Sequence, residues 1–164
     1  MGIDISDLKT GRPLAGEEMV RAADEIAERA HAGQVDKAGD PYISHPRAVA
    51  AQLDSPEART VGLLHDVVED TEITLEDLEE IFPREVTDAV ALMTHPEGMP
   101  YLDYVRRLSK NPLAREVKLA DLTHNMDLSR IAHVTQKDLD RVEQKYRPAY
   151  ALLKAASEER EEQV

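Results

Sequence analysis

An all-α fold is what this 164-residue sequence predicts, and three observations carry it. Aromatic residues make up only 4% of the chain, with no Trp and one Phe. The core must therefore be built from Leu, Val, Ile, Ala and Met, a mixture that suits packed helices better than a β-sandwich. Apolar residues recur at spacings of three and four. Proline and glycine fall where helices start or chains turn. The length suits one domain with a real core and is short for two, so a single domain over 1–164 is expected.

The elements follow in order. Glu17 to Ala32 carries Met19, Val20, Ala23, Ile26, Ala27 and Ala30 at helical spacing. Gly33 to Pro41 is rich in turn residues and reads as a loop. Ser44 to Leu53 is a short helix that tolerates Pro46 in its first turn. Ser55-Pro56-Glu57 supplies a cap, a first-turn proline and a first-turn acid, and opens a helix expected to run through His65 to Asp70. Thr74-Leu75-Glu76-Asp77 resembles a capping box for a helix ending near Phe82, and Pro83 to Met93 follows as another. After a break at residues 97–100, Tyr101 to Ser109 is helical, and Asn111-Pro112 starts a long helix carrying Asp121. Thr135 to about Ala156 is the last, with a kink expected at Pro148. The tail Ser157 to Val164 is mostly charged and expected to fray. The sum is about seven to eight helices.

Composition excludes several chemistries. With no cysteine there are no disulfides, thiolate metal sites or cysteine nucleophiles. No apolar run approaches the roughly 20 residues that span a bilayer. Met1 to Thr10 carries Asp4 and Asp7 and lacks the apolar stretch of a signal peptide, so a cytoplasmic location without membrane attachment is expected. A formal net charge of −13 argues against nucleic acid as a partner. A phosphorylated substrate would need a metal and a few placed Lys or Arg residues to reverse the field locally.

The residues that could carry chemistry begin with His65-Asp66-Val67-Val68-Glu69-Asp70. On a helical wheel at about 100° per residue, the four polar members fall within an arc of roughly 140°. Alone, that pattern reads first as the solvated acidic face of an amphipathic helix. Asp121 adds weight. It lies on a stripe of Ala114, Val117, Asp121, Asn125 and Leu128, the spacing of a core-facing face. A buried, unpaired carboxylate is costly, so a cation or strong donors must stand beside it. The alternative to a metal is a salt bridge to Lys118, His124 or an arginine elsewhere. His45, in Tyr42-Ile43-Ser44-His45-Pro46, opens a helix and is the second imidazole. His31, His95, His124 and His133 receive no role. Two imidazoles and two carboxylates suit Mn²⁺, Fe²⁺ or Zn²⁺, with open positions for water.

His45, His65-Asp66 and Asp121 match the H…HD…D signature of the HD phosphohydrolase superfamily. Four segments sharpen the match: residues 30–34 (AHAGQ), 39–46 (GDPYISHP), 63–71 (LLHDVVEDT) and 117–126 (VKLADLTHNM). In that order they resemble the hydrolase domain of Rel/SpoT alarmone enzymes and of stand-alone small alarmone hydrolases, over about residues 18–131. The resemblance implies an HD-domain helical bundle. It implies removal of the 3′-pyrophosphate from guanosine tetra- or pentaphosphate by attack of a water activated at Mn²⁺. In it, His45, His65, Asp66 and Asp121 would bind the metal, Glu69 and Asp70 would be the acid/base pair, and Lys37 and Asn125 would touch the nucleotide. The chain departs from the pattern at Asp36, Leu122 and Asp127, where many members carry basic residues. Those departures favour weaker alarmone binding or a smaller nucleotide. The alternatives are an HD hydrolase of another phosphorylated nucleotide and a non-catalytic nucleotide-binding module. Homo-oligomerisation is left open.

Overall fold

Helix α3 (Pro56–Leu64) is the pivot of the fold. Ser55 caps it by accepting from the Ala58 N–H, Pro56 sits in its first turn, and six of its nine residues are buried. A helix that apolar on all sides must be surrounded. In the computed structural model, which describes residues 2–163, α3 packs against α1 (Gly16–Ala30), α2 (Ser44–Ala50), α6 (Arg84–Met93) and α8 (Pro112–Met126). A Cβ on Gly62 would meet Leu53 Cδ1 at 3.2 Å and the Ala50 backbone at 3.4 Å. Glycine therefore lets α2 lie close against α3, and α2 carries His45.

The other elements are α4 (Val67–Asp70), α5 (Leu75–Glu79), α7 (Tyr101–Leu108), α9 (Gln136–Arg141) and α10 (Arg147–Glu162). Thr74 and Asp77 form the reciprocal capping box their spacing implies, and Asn111 caps α8 at the Ala114 N–H. Among the described residues the only β pairing is an isolated bridge, Val35 to Pro41, inside the 33–41 loop. The fold is all-α. Taking α3–α4 and α9–α10 each as one interrupted helix gives eight. The buried apolar residues form one contiguous cluster, with Met19, Ile26, Leu64, Leu78, Phe82, Leu108, Leu122 and Leu153 at its centre.

Three expectations need correction. The helix opened at Ser55 does not run through to Asp70: α3 ends at Leu64 and α4 is a single turn. The Gly62 carbonyl, which a continuing helix would offer to the Asp66 N–H, instead accepts from His65 Nδ1 at 2.5 Å. Asp66 sits at φ −104°, ψ −4° in the junction. The last helix runs on as one rod but is not regular: between α9 and α10 it takes a π-helical turn, Val142–Tyr146, just ahead of Pro148, which cannot donate to the preceding turn. Finally, the tail does not fray at Ser157. Helix α10 continues to Glu162, packed against α7 and α8, with Ser157 Oγ bonded to the Leu153 carbonyl. Met1 and Val164 lie outside the described residues.

Candidate active site

Four side chains from three parts of the chain converge where α2, the α3–α4 junction and α8 meet. His45 Nε2 lies 2.9 Å from Asp121 Oδ1 and 3.7 Å from Asp66 Oδ2. His65 Nε2 lies 3.1 Å from Asp66 Oδ2 and 3.4 Å from Asp121 Oδ1. His45, His65 and Asp121 are buried and Asp66 is half-buried. Donors held at about 2.0–2.2 Å from one cation stand roughly 3–3.5 Å apart when adjacent, close to the 2.9–3.7 Å separations here.

The chemistry of the donors fits the same reading. His65 Nδ1 donates to the Gly62 carbonyl, so Nε2 turns a lone pair toward two carboxylates, and this buried atom has no hydrogen-bond partner. A positive charge belongs between these groups, as a proton or a metal ion. Without an ion a proton takes the place. Burial alone would lower the His65 pKa, but Asp66 and Asp121 raise it well above the usual value. Asp66 is correspondingly drawn down to about 2: burial opposes ionisation, and His65 outweighs it.

Asp121 has a second set of partners. Lys118 Nζ donates to Oδ2 at 2.8 Å and Asn125 Nδ2 to Oδ1 at 3.1 Å. The salt bridge to Lys118 is therefore real, and it occupies the oxygen that faces away from the imidazoles. Tyr42 donates its hydroxyl to Asp66 Oδ2 at 2.6 Å. Burial first, then Asp66, raise the Tyr42 pKa, so it stays a donor. His45 Nδ1 meets His124 Nδ1 at 2.7 Å. Burial, then His45 and Arg130, push His124 down to about 4, so it is neutral near pH 7 and can accept from His45.

Glu69 and Asp70 are exposed at the mouth and form, with Asp66, a second carboxylate group. Glu69 Oε1 accepts from the His95 backbone N–H at 2.9 Å. The Asp70 carbonyl accepts from Gln34 Nε2, which is itself bonded to His31 through its Oε1. The six polar groups thus share one site although the helix expected to align four of them is broken.

Two cavities adjoin this site and share Tyr42, His45, Asn125 and Tyr146. One, about 230 Å³, is lined by the carboxylates together with Lys118 and Lys145. The other, about 270 Å³, offers Val35, Leu128 and Ile131 alongside Lys37, Arg130 and Arg141. Lys37 is at its rim, bonded to Asp138 at 3.1 Å. Asp36 does not lay a free charge over the cavity. Its carboxylate accepts from the Ala38 and Asp40 N–H groups and stands 3.8 Å from Arg130. Leu122 is fully buried in the core, and Asp127 caps the 3₁₀ turn Leu128–Arg130. Three cations to which the motifs did not point, Arg130, Arg141 and Lys145, line the two cavities.

Residues 23–158 match the model of the family described as HD domain. The chain belongs to the HD domain family. Over 127 residues this HD domain is 39% identical to the probable GTP pyrophosphokinase of Mycobacterium leprae (strain TN), covering 70% of the chain and 16% of that protein. Over 128 residues it is 36% identical to the guanosine-3′,5′-bis(diphosphate) 3′-pyrophosphohydrolase of Escherichia coli O157:H7, covering 65% of the chain and 17% of that protein. The chain spans about a sixth of the length of these curated relatives. It also matches the structure of a metazoan ortholog of SpoT that hydrolyzes ppGpp, with a TM-score of 0.62 and 25% identity over 92% of this chain and 98% of that one. No helix among the described residues is long and apolar enough to cross a membrane.

Proposed function

We propose that this HD domain is a metal-dependent phosphohydrolase that removes the 3′-pyrophosphate from guanosine tetra- or pentaphosphate. The observation that carries the proposal is the unpartnered His65 Nε2, facing two carboxylates beside His45. The names of the relatives support the substrate, as does a pair of adjoining cavities, one lined by carboxylates and lysines and the other by apolar side chains and cations. His45, His65, Asp66 and Asp121 would hold the ion, and Mn²⁺ suits two nitrogen and two oxygen donors. When bound, the ion polarises the phosphoryl oxygen and makes water acidic enough to be a nucleophile near neutral pH.

The chain's own groups do the rest. Water oxygen joins the phosphorus carried by the 3′ oxygen, and that P–O bond breaks. Glu69, oriented by the His95 N–H, takes the proton of the water. Asp70 protonates the departing 3′ oxygen. In the metal-free protein, burial, then the Asp66 and Glu69 charges, push its carboxyl up to about 6, the direction a proton donor needs. Tyr42 and Lys118 hold Asp66 and Asp121 in place. Asn125 and Lys37 would meet the nucleotide from the rim. Phosphate and pyrophosphate release from ppGpp, pppGpp and common nucleotides with Mn²⁺ tests the proposal; no release from any of them, with metal bound, overturns it. The involvement of Lys37 and Asp36 in protein contacts favours a second reading, another phosphorylated nucleotide, which the same panel would reveal.

Two further outcomes follow. His124→Ala removes the acceptor that sets the His45 ring, and Mn²⁺ affinity by calorimetry is expected to fall about 10–100-fold. A Kd within twofold of wild type would count against that role. Asp70 also leaves a signature in stability. Its folded pKa, about 6, exceeds the usual 3.8, so the stabilisation is complete below pH 4 and is lost as pH rises toward 6. In EDTA-treated protein, Asp70→Asn is expected to be more stable than wild type at pH 7.5 by about 1 kcal/mol, allowing for solvent screening, and no more stable below pH 4. Coincident melting curves at pH 7.5 would contradict this.

A further inference from the structure

One cation at the site has no assigned work. Lys145 lies on the π-helical turn, with Nζ 4.5 Å from the Tyr101 ring centroid and 5.9 Å from that of Tyr146. The chain holds 33 acidic residues, yet among the described residues Lys145 forms no salt bridge. Partial burial first, then the neighbouring cations Lys118 and Arg141, lower its pKa, while Glu69 and Asp121 act in the opposite sense. Lys145 and Lys118 line the same 230 Å³ cavity as Asp66, Glu69 and Asp70. Lys118 is committed to Asp121, and its ammonium lies 5.7 Å from the centroid of the same Tyr101 ring. Lys145 has no carboxylate partner among the described residues, only the faces of Tyr101 and Tyr146.

A pyrophosphoryl group entering this cavity meets the negative charge of Glu69 beside Asp66 and Asp121. An ion held by four ligands, two of them carboxylates, would offset only part of that repulsion. An ammonium on a flexible stem suits phosphoryl oxygens whose orientation changes during displacement, since it donates in three directions without a fixed plane. The π-turn adds a residue to the helical register just before Pro148, and such turns recur at functional sites.

We propose that Lys145 grips the non-bridging oxygens of the pyrophosphoryl group, in the substrate and then in the product, with the Tyr101 ring as the platform under its ammonium. The inference rests on the phosphohydrolase reading and adds a substrate-binding residue to it.

The test uses the whole Mn²⁺-loaded chain, with inorganic pyrophosphate as the calorimetric probe and ppGpp as the kinetic substrate. Lys145→Met keeps the stem and removes the charge. It is expected to weaken pyrophosphate binding at least tenfold and to raise KM for ppGpp by a similar factor, with kcat changed less than threefold. Lys145→Arg should restore most of the affinity. The side chain is exposed, so circular dichroism and the melting temperature should match wild type. Unchanged pyrophosphate affinity in Lys145→Met overturns the inference, as does failure of wild type to bind pyrophosphate. Wild type that binds pyrophosphate but does not cleave ppGpp defeats the substrate reading alone, and the affinity loss in Lys145→Met then still supports the lysine.

Discussion

Asp121→Ala is expected to abolish metal binding and turnover together, and to destabilise the metal-free protein by about 3–5 kcal/mol, the usual cost of stripping one partner from a buried ion pair. Four groups depend on this carboxylate. His45 and His65 face its Oδ1, Asn125 donates to it, and Lys118, itself buried, donates to Oδ2. Alanine leaves the Lys118 ammonium without a carboxylate partner in the core. Asp121→Asn separates the two consequences. It keeps the shape and loses the charge, so it should also lose the ion while retaining more of the stability. Metal content of the purified variant and urea denaturation in EDTA provide the readings. One bound ion per chain in Asp121→Ala would remove Asp121 from the ligand set.

Glu69→Gln should behave in the opposite way. Its metal content is expected to equal that of wild type, because Glu69 stands at the exposed mouth, bonded to the His95 N–H, outside the four-ligand set proposed above. The amide oxygen can still accept the His95 N–H, so the mouth of the site should keep its shape. Turnover of ppGpp is expected to fall about 10²–10⁴-fold, the usual worth of a positioned base. The contrast between the two variants divides holding the ion from moving the proton. Wild-type turnover in Glu69→Gln would take that residue out of the mechanism.

Much of the fold and of the site is legible in the amino-acid sequence alone. Helix starts announce themselves because caps act through neighbours three residues away, as Ser55, Thr74 and Asn111 do. Asp121 stands out because a carboxylate on an apolar stripe contradicts its own pattern, and such a contradiction is visible in one dimension. The break at His65 is hidden, since it depends on a ring nitrogen taking the Gly62 carbonyl from the backbone. The cations are hidden for a different reason. Arg130, Arg141 and Lys145 reach the cavity from segments about 60 or more residues beyond the His65-Asp66 pair, and nothing at that range repeats or alternates. The π-turn leaves one weak local signal: Pro148 announces a disturbance, without its form.

That turn has a consequence for how the chain can change. An α-helix advances about 100° per residue, so α9 and α10 are set in angular phase by the single surplus residue between them. Deleting one residue from 142–146 would leave both helices intact and every cap in place. It would nevertheless swing α9 round by about a quarter-turn and carry Arg141 and Asp138 off the rim of the cavity. The C-terminal rod is in this sense a dial, and its setting is written in the count of residues rather than in their identity.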